Sequence, residues 1–132
     1  MSTQRVATLD YLLEVAKDWT RSCFSVAQDS DYSFAPYRFC LDGHTVRRHR
    51  LHRRSREAAN PLEAVHGEDR AVVWARSDVI TVLADSDTGT VEFEQEIVEV
   101  LGVEEDNILA EAAFVVRAPG FPPCLGAFWG MT

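Results

Sequence analysis

The sequence of 132 residues predicts a single α+β domain, in which an N-terminal helix packs in a curved antiparallel sheet. Three observations lead to this prediction. Near the N-terminus, apolar residues recur at steps of three and four, as on one face of a helix. Residues 70–84 form a long run that is rich in β-branched side chains and contains neither glycine nor proline. In residues 90–97, Thr90 and three glutamates alternate with Val91, Phe93, Gln95 and Ile97, which is the period of a strand.

The first element is an amphipathic helix over residues 7–24. Its apolar face is formed by Leu9, Leu12, Leu13, Ala16, Trp19 and Cys23. Thr8 is the expected N-cap, and Asp10 falls in the first turn, where a carboxylate favours the helix dipole. The polar stretch 28–31 then ends the helix.

A hairpin is predicted next. Residues 32–41 are rich in aromatic side chains, and Pro36 makes this an edge or interrupted strand. The dipeptide Asp42-Gly43 is a strong signal for a two-residue turn, so residues 45–52 form the return strand.

A short helix follows the hairpin. Ser55 is expected to cap residues 56–59. Pro61 limits this helix or restarts it through Val65, and Gly67 closes it.

The remainder predicts three long antiparallel strands: residues 70–84, a strand from Thr90 that leads to a polar turn at 104–106, and residues 107–117. The alternation changes phase at Ile97-Val98, as a β-bulge would cause. Residues 118–132 read as an irregular apolar tail. A helix over residues 93–101, with Gly102 as its C-cap, remains an alternative to the second strand. The segment from Glu94 to Val115 also resembles the opening of an acyl carrier protein, but the serine that would carry the prosthetic group does not follow.

Both faces of the strand at 70–84 are apolar, whereas an antiparallel sheet usually leaves one face in water. This indicates a helix on one face and a partner subunit on the other. We therefore expect a homodimer.

The net charge of −8 is unevenly distributed. Six of the thirteen basic residues fall between Arg47 and Arg56, and without them seven basic residues stand against twenty-one acidic ones, which gives −14. An acidic body repels nucleic acid and membrane surfaces, and the basic segment lacks aromatic residues that would stack on bases. The segment is predicted to be a solvated edge strand, or a complement to the acidic row Glu92, Glu94 and Glu96.

Three cysteines at wide spacing predict free thiols in the cytoplasm rather than disulfides. The four histidines show no metal-ligand spacing, and no glycine-rich phosphate loop is present, so neither a metal nor another cofactor is expected. No apolar stretch approaches the length of a membrane span, and the N-terminus lacks the layout of a secretory signal.

Arg76 and Asp78 interrupt the apolar run of the first long strand. Because residues two apart on a strand project to one face, the guanidinium and the carboxylate are neighbours. If that face is buried, the pair marks a pocket, since charges in a dry site need a partner or a purpose. A structural ion pair is the alternative.

The order of elements, together with the segments Asp69-Arg70-Ala71-Val72-Val73 and Thr88-Gly89-Thr90-Val91-Glu92-Phe93, resembles the nuclear-transport-factor-two-like superfamily. This superfamily includes SnoaL-type polyketide cyclases, ketosteroid isomerases and limonene-epoxide hydrolases. The resemblance implies a cone-shaped, cystatin-like α+β fold that holds a hydrophobic small molecule.

The segment with Arg76 and Asp78 resembles the Arg-x-Asp strand of the epoxide hydrolases in this superfamily. The resemblance implies that Asp78 is the proton donor and Arg76 the orienting cation. The water-activating carboxylate of that family falls at Ala113, so Glu111, two residues earlier on the same face, is the candidate base. Residues expected to line the ligand site are Trp74, Phe93 and Tyr37.

Two functions follow as expectations. One is cofactor-free acid–base catalysis on a hydrophobic substrate, of the epoxide-hydrolase or polyketide-cyclase type. The other is a non-catalytic binding or assembly module of the same fold that recognises a protein partner. The absence of a carboxylate at Ala113 favours the second.

Overall fold

The computed structural model describes residues 2–64 and 70–131. In chain order the elements are α1 (Ser2–Val26), β1 (Tyr37–Asp42), β2 (Thr45–Arg50), α2 (Arg56–Ala59), a 3-10 helix (Pro61–Ala64), β3 (Val72–Ser86), β4 (Gly89–Glu104), β5 (Asn107–Val116), β6 (Cys124–Leu125) and β7 (Trp129–Gly130). The predicted fold class is confirmed, because α1 packs against a strongly curled antiparallel sheet in a cone-like arrangement.

The strands are ordered β2-β1-β3-β4-β5-β6, and β7 pairs with β5. Every pairing in the sheet is antiparallel. β3 and β4 form the longest ladder, from Val72 opposite Val103 to Ser86 opposite Gly89, without a break in register. The basic strand β2 lies at the edge of the sheet, as the sequence predicted.

The core lies between α1 and one face of the sheet, which we call the α1 face. The buried side chains of this core include Leu9, Leu12, Leu13 and Ala16 of α1, with Phe39, Val73, Ala75, Val98 and Val100 of the sheet. Gly102 gives α1 room, since a Cβ at this position would lie 2.8 Å from Leu9 Cδ1. Burial of these apolar side chains is the main term that holds the helix on the sheet.

The opposite face, which we call the outer face, is partly covered by α2. The Nε1–H group of Trp74 donates a hydrogen bond to Glu57 of α2 at 2.8 Å. Ser55 caps α2 as predicted, because its side chain accepts a hydrogen bond from the Ala58 N–H. Val65 and Gly67, which were expected to extend and close this segment, lie outside the described residues.

Two local predictions are wrong, and the helical alternative to the second long strand is excluded. Thr8 is not an N-cap, because α1 begins at Ser2 and residues 2–7 contain no glycine or proline that would stop a helix. Residues 93–101 are not helical, because they belong to β4. Residues 118–132 are not wholly irregular, because β6 and β7 both pair with β5.

The β-bulge expected at Ile97-Val98 is also absent, because Asp78 pairs with Ile97 and Ser77 with Val98 in continuous register. Both side chains are fully buried. Val98 packs in the α1 core, and Ile97 lies on the outer face. The apparent change of phase in the sequence therefore reflects a strand that is covered on both faces at this point.

Candidate functional site

Arg76 and Asp78 lie on the outer face, and Arg76 Nη2 is 3.5 Å from Asp78 Oδ2. Arg76 has a closer acidic partner, since its Nε and Nη2 atoms lie 3.2 and 3.1 Å from Glu99 Oε1 on β4. Its Nη1 atom donates to the carbonyl oxygen of Ala59 at 3.4 Å. The Asp78 side chain is 43% exposed, and its Oδ1 accepts from the Val79 N–H. The geometry is that of an ion pair that bridges two adjacent strands and reaches α2.

Glu111 lies on the other face of the sheet. It pairs with Val100, whose side chain belongs to the α1 core, and it accepts hydrogen bonds from Lys17 Nζ of α1 at 3.0 and 3.2 Å. Burial alone would lower the pKa of Lys17, but the hydrogen bonds to Glu14 and Glu111 outweigh it and raise the pKa. Glu111 and Asp78 therefore lie on opposite faces and do not converge on one substrate site.

The three residues expected to line the ligand site are also separated. Trp74 is buried on the outer face against Glu57. Phe93 lies farther along the same face and is 45% exposed. Tyr37 packs in the α1 core, with its ring centroid 5.5 Å from that of Trp19. The structure does not bring these side chains together around a common cavity.

An apolar groove does exist, at a different place from the predicted pocket. It lies between the C-terminal end of α1 and residues 116–125, and its volume is about 730 Å³. Its apolar lining is formed by Phe24, Val116, Phe121, Pro122, Pro123 and Leu125. Among the described residues that line the groove, Arg21 is the one charged side chain, and it pairs with Asp18 at 2.7 Å.

The longest ladder of the sheet extends beyond its neighbours. β1 pairs with β3 only from Val72 to Ala75, and β5 pairs with β4 only from Ile97 to Glu104. The remaining part, residues 79–96, is a two-stranded hairpin that we call the distal ribbon. Within the described part of the chain, no further strand pairs with either edge of this ribbon.

The β3 edge of the distal ribbon is unprotected. Residues 79–84 carry no charge and no proline, and the unbroken register shows no bulge. Natural edge strands usually carry such features, because free backbone N–H and C=O groups pair readily with other chains. Val79 and Leu83 are 54% and 63% exposed on one face, and Val91 and Phe93 are exposed on the other. A two-stranded hairpin with both faces exposed is only marginally stable in water.

The distal ribbon is also acidic. Glu92 and Glu94 follow the phase of Val98 and Val100, so they lie on the α1 face of the ribbon. Glu96 is bound by Arg117, whose Nε lies 2.7 Å from Glu96 Oε1. Among the described residues, neither Glu92 nor Glu94 has an ionic partner.

The basic strand β2 lies beside β1, on the side of β1 that faces away from β3. Arg47 Nε is 2.7 Å from Asp42 Oδ2, and the Arg48 guanidinium lies 3.5 Å from the centroid of the Trp19 ring. Arg50 is exposed and has no ionic partner in the described part of the molecule. The expected pairing of this strand with the acidic row is not made within one chain, because β1 and β3 separate β2 from β4.

Sequence reasoning did not identify the distal ribbon as a site. A signal was present in the lengths of the predicted strands, since the strand at 70–84 is longer than either strand of the preceding hairpin. A shorter neighbour in an antiparallel sheet must leave part of a long strand unpaired.

In residues 2–64 and 70–131, no group of three or more histidine, cysteine, aspartate or glutamate side chains is placed to hold a metal ion. No helix in these ranges has both the length and the apolar character that crossing a bilayer requires. Comparison of the chain with protein-family models, with curated proteins and with solved structures gave no match. The resemblance to the nuclear-transport-factor-two-like superfamily therefore stays a prediction.

Proposed function

We propose that this protein is a non-catalytic binding module that takes up an extended, basic segment of another polypeptide as an added strand beside β3. The observation that carries the proposal is the open, uncharged edge of β3 at residues 79–84. In this mode of recognition, main-chain hydrogen bonds to the edge supply affinity, and neighbouring side chains supply specificity.

The charge of the distal ribbon favours a basic segment. Residues 79–96 contain Asp85, Asp87, Glu92, Glu94 and Glu96 and no lysine or arginine. A strand added beside β3 would lie two strand spacings, roughly 10 Å, from the glutamates on β4. Long arginine side chains on that strand can reach over Thr81 and Leu83 of β3 and span much of the distance to these glutamates. A glutamate at the same position would be repelled.

The arrangement of the acids favours binding over the expected acid–base chemistry. Proton transfer needs the acid and the base within hydrogen-bond reach of the same substrate. Asp78 and Glu111 lie on opposite faces of the sheet, and the carboxylate of Glu111 already accepts a hydrogen bond from Lys17. Catalysis by these residues is therefore not part of the proposal.

Peptide binding tests the proposal directly. A short fluorescent peptide that alternates valine and arginine is titrated with the protein, and its anisotropy is followed. A peptide of the same length that alternates valine and glutamate is the control. We expect saturable binding of the arginine peptide, weakening as salt is raised, and none of the glutamate peptide. Equal binding of the two peptides, or binding of neither, would overturn the proposal.

Two lysines on the open edge test the location. The variant Val79→Lys/Leu83→Lys places positive charges where natural edge strands carry them, and it should abolish binding of the arginine peptide. The matched control Val26→Lys/Leu62→Lys changes two other exposed apolar residues, 74% and 48% exposed, away from the ribbon. The control should bind as the unmodified protein does.

The apolar groove at residues 116–125 favours a second candidate function, the binding of an apolar small molecule. Its volume of about 730 Å³ falls in the range that ligand sites occupy. Small apolar epoxides and polyketides should then raise the melting temperature, and Phe121→Glu should remove the effect. No shift with any of these compounds counts against this candidate and leaves strand addition unaffected.

A further inference from the structure

We infer that the segment taken up by the distal ribbon is strand β2 of a second copy of this chain, and that the contact is made twice in a symmetric dimer. This inference rests on the proposed function, since it names the partner for the same edge of β3. It is carried by the shape of the sheet edge, the strand directions and the placement of charge.

The edge of the sheet has the form of a step. β1 pairs with Val72–Ala75 of β3, and β2 lies outside β1. Residues 33–36 lie beside the next part of the β3 edge, where Ser77 Oγ donates to the Phe34 carbonyl oxygen. From Val79 to Ser86 the same side of β3 is open in the described part of the chain. The free edges of β2 and of the distal ribbon therefore face the same way, offset by two strand widths.

A half-turn about an axis perpendicular to the sheet makes this step complementary to itself. It places β2 of the second copy beside the open part of β3 of the first copy. It also places β1 of the second copy in line with β2 of the first. The same rotation places β3 of the second copy beside β2 of the first. The six residues of β2 fit within the eight open residues 79–86. The free edge of β2 and the open edge of β3 are then used in each copy.

The strand directions agree with this arrangement. β2 and β3 are each antiparallel to β1, so they run parallel to one another within a chain. The half-turn reverses β2, so that β2 of the second copy runs antiparallel to β3 of the first. Antiparallel pairing is the pattern of every other contact in this sheet.

The placement of charge also agrees. Rotation about an axis perpendicular to the sheet keeps the α1 face of both copies on the same side. Arg48 stacks on Trp19 of α1, and Arg50, two residues along β2, shares its face. Glu92 and Glu94 lie on that face of the distal ribbon. The unpaired arginine of one copy therefore lies on the same face as the unpaired glutamates of the other, two strand spacings or roughly 10 Å away.

This contact is isologous, so it closes after two copies and does not continue into a fibre. It also explains why β2 carries arginines and the β3 edge carries no protection, since each edge is selected to accept the other and not itself.

Charge reversal combined with sedimentation equilibrium tests the inference. The full chain should be a dimer, and the variants Arg50→Glu and Glu94→Arg should each raise its dissociation constant roughly tenfold, because each reversal acts at both symmetric contacts. A mixture of the two variants should restore association, because every contact in the mixed dimer again joins opposite charges. The double variant Arg50→Glu/Glu94→Arg should also associate. The control Arg54→Glu, an exposed arginine outside β2, should leave the dimer unchanged.

Hydrogen exchange locates the contact. Amides in residues 79–86 and 45–50 should exchange more slowly in the dimer than in the Arg50→Glu monomer. A monomer that still binds the arginine peptide would overturn the inference and leave the proposed function standing. A dimer whose protection lies elsewhere, or whose mixed variants fail to associate, would also overturn it. A chain that neither dimerises nor binds the peptide would overturn both.

Discussion

Lys17 on α1 donates a hydrogen bond to Glu111 on β5 at 3.0 Å, across 94 positions of sequence. Lys17 is 8% exposed, so its charge depends on this contact and on Glu14. The contact fastens the helix to β5, which lies on the far side of β3 and β4 from the hairpin. Glu111 is therefore a structural acid rather than a free base.

The variant Glu111→Gln should lower the free energy of unfolding by about 1–2 kcal/mol, because Lys17 keeps only the exposed Glu14 as its ionic partner. Urea unfolding measures the change. The control Glu63→Gln removes an exposed acid of the 3-10 helix and should have little effect. Equal midpoints for the two variants would contradict the structural role of Glu111.

Tyr32 predicts a loss of stability at alkaline pH. Burial, with the neighbouring Cys23, raises the pKa of Tyr32 from 10.0 to about 12. In the unfolded chain Tyr32 ionises near pH 10, whereas in the folded chain it keeps its proton. The contribution of Tyr32 to the free energy of unfolding is therefore complete below pH 10 and declines from there to about pH 12. Urea unfolding over this range should show a shallower decline for Tyr32→Phe. The control Tyr11→Phe alters an exposed ring and should follow the unmodified protein, and an unchanged slope in Tyr32→Phe would refute the prediction.

Arg48 should contribute to stability although it lies on an edge strand. Its guanidinium covers the ring of Trp19 at 3.5 Å, and such contacts contribute about 1 kcal/mol. Arg48→Ala should lower the free energy of unfolding by about this amount and change the fluorescence of Trp19. Arg54→Ala removes an exposed arginine without such a contact and should stay within about 0.5 kcal/mol of the unmodified protein. Identical losses in both would show that the stacking contributes nothing.

Gly102→Ala should destabilise the contact between α1 and the sheet. The added methyl group would lie 2.8 Å from Leu9 Cδ1 and 3.3 Å from both Leu13 Cδ2 and Val73 Cγ2, so these buried side chains would have to shift. We expect a loss of about 1–2 kcal/mol in thermal or urea unfolding. Gly130→Ala is the control, because nothing lies within 4 Å of a Cβ there. A neutral Gly102→Ala would mean that α1 shifts freely on the sheet.

Local patterns predicted the elements well, since each depends on residues that are close in sequence. The helical face at Leu9, Leu12 and Leu13 packs as expected, and the run at 70–84 is the long strand β3. The pattern failed where burial comes from both sides. Ile97 and Val98 are both fully buried on opposite faces of β4, and the sequence alone could not separate this from a bulge.

The candidate site depended on contacts between distant residues, and the sequence holds no record of them. Arg76 was paired with its near neighbour Asp78, whereas its closer partner is Glu99, which the register of β3 and β4 places opposite it. Glu111 shares a face with Ala113, as predicted. It was also expected to share a site with Asp78, but the two residues lie on opposite faces of the sheet. Alternation gives the relative orientation within one strand, and only the pairing relates the faces of two.

Glu57 accepts hydrogen bonds from Arg38 on β1 and from Trp74 on β3, each at 2.8 Å. β1 and β3 share only four paired positions, so the ladder itself discriminates weakly between alignments. A slip of β1 by one residue would turn Arg38 to the α1 face. The carboxylate of Glu57 would then keep only Trp74 as a donor. A single acid on a four-residue helix thus stabilises the native alignment of the hairpin relative to one shifted by a residue.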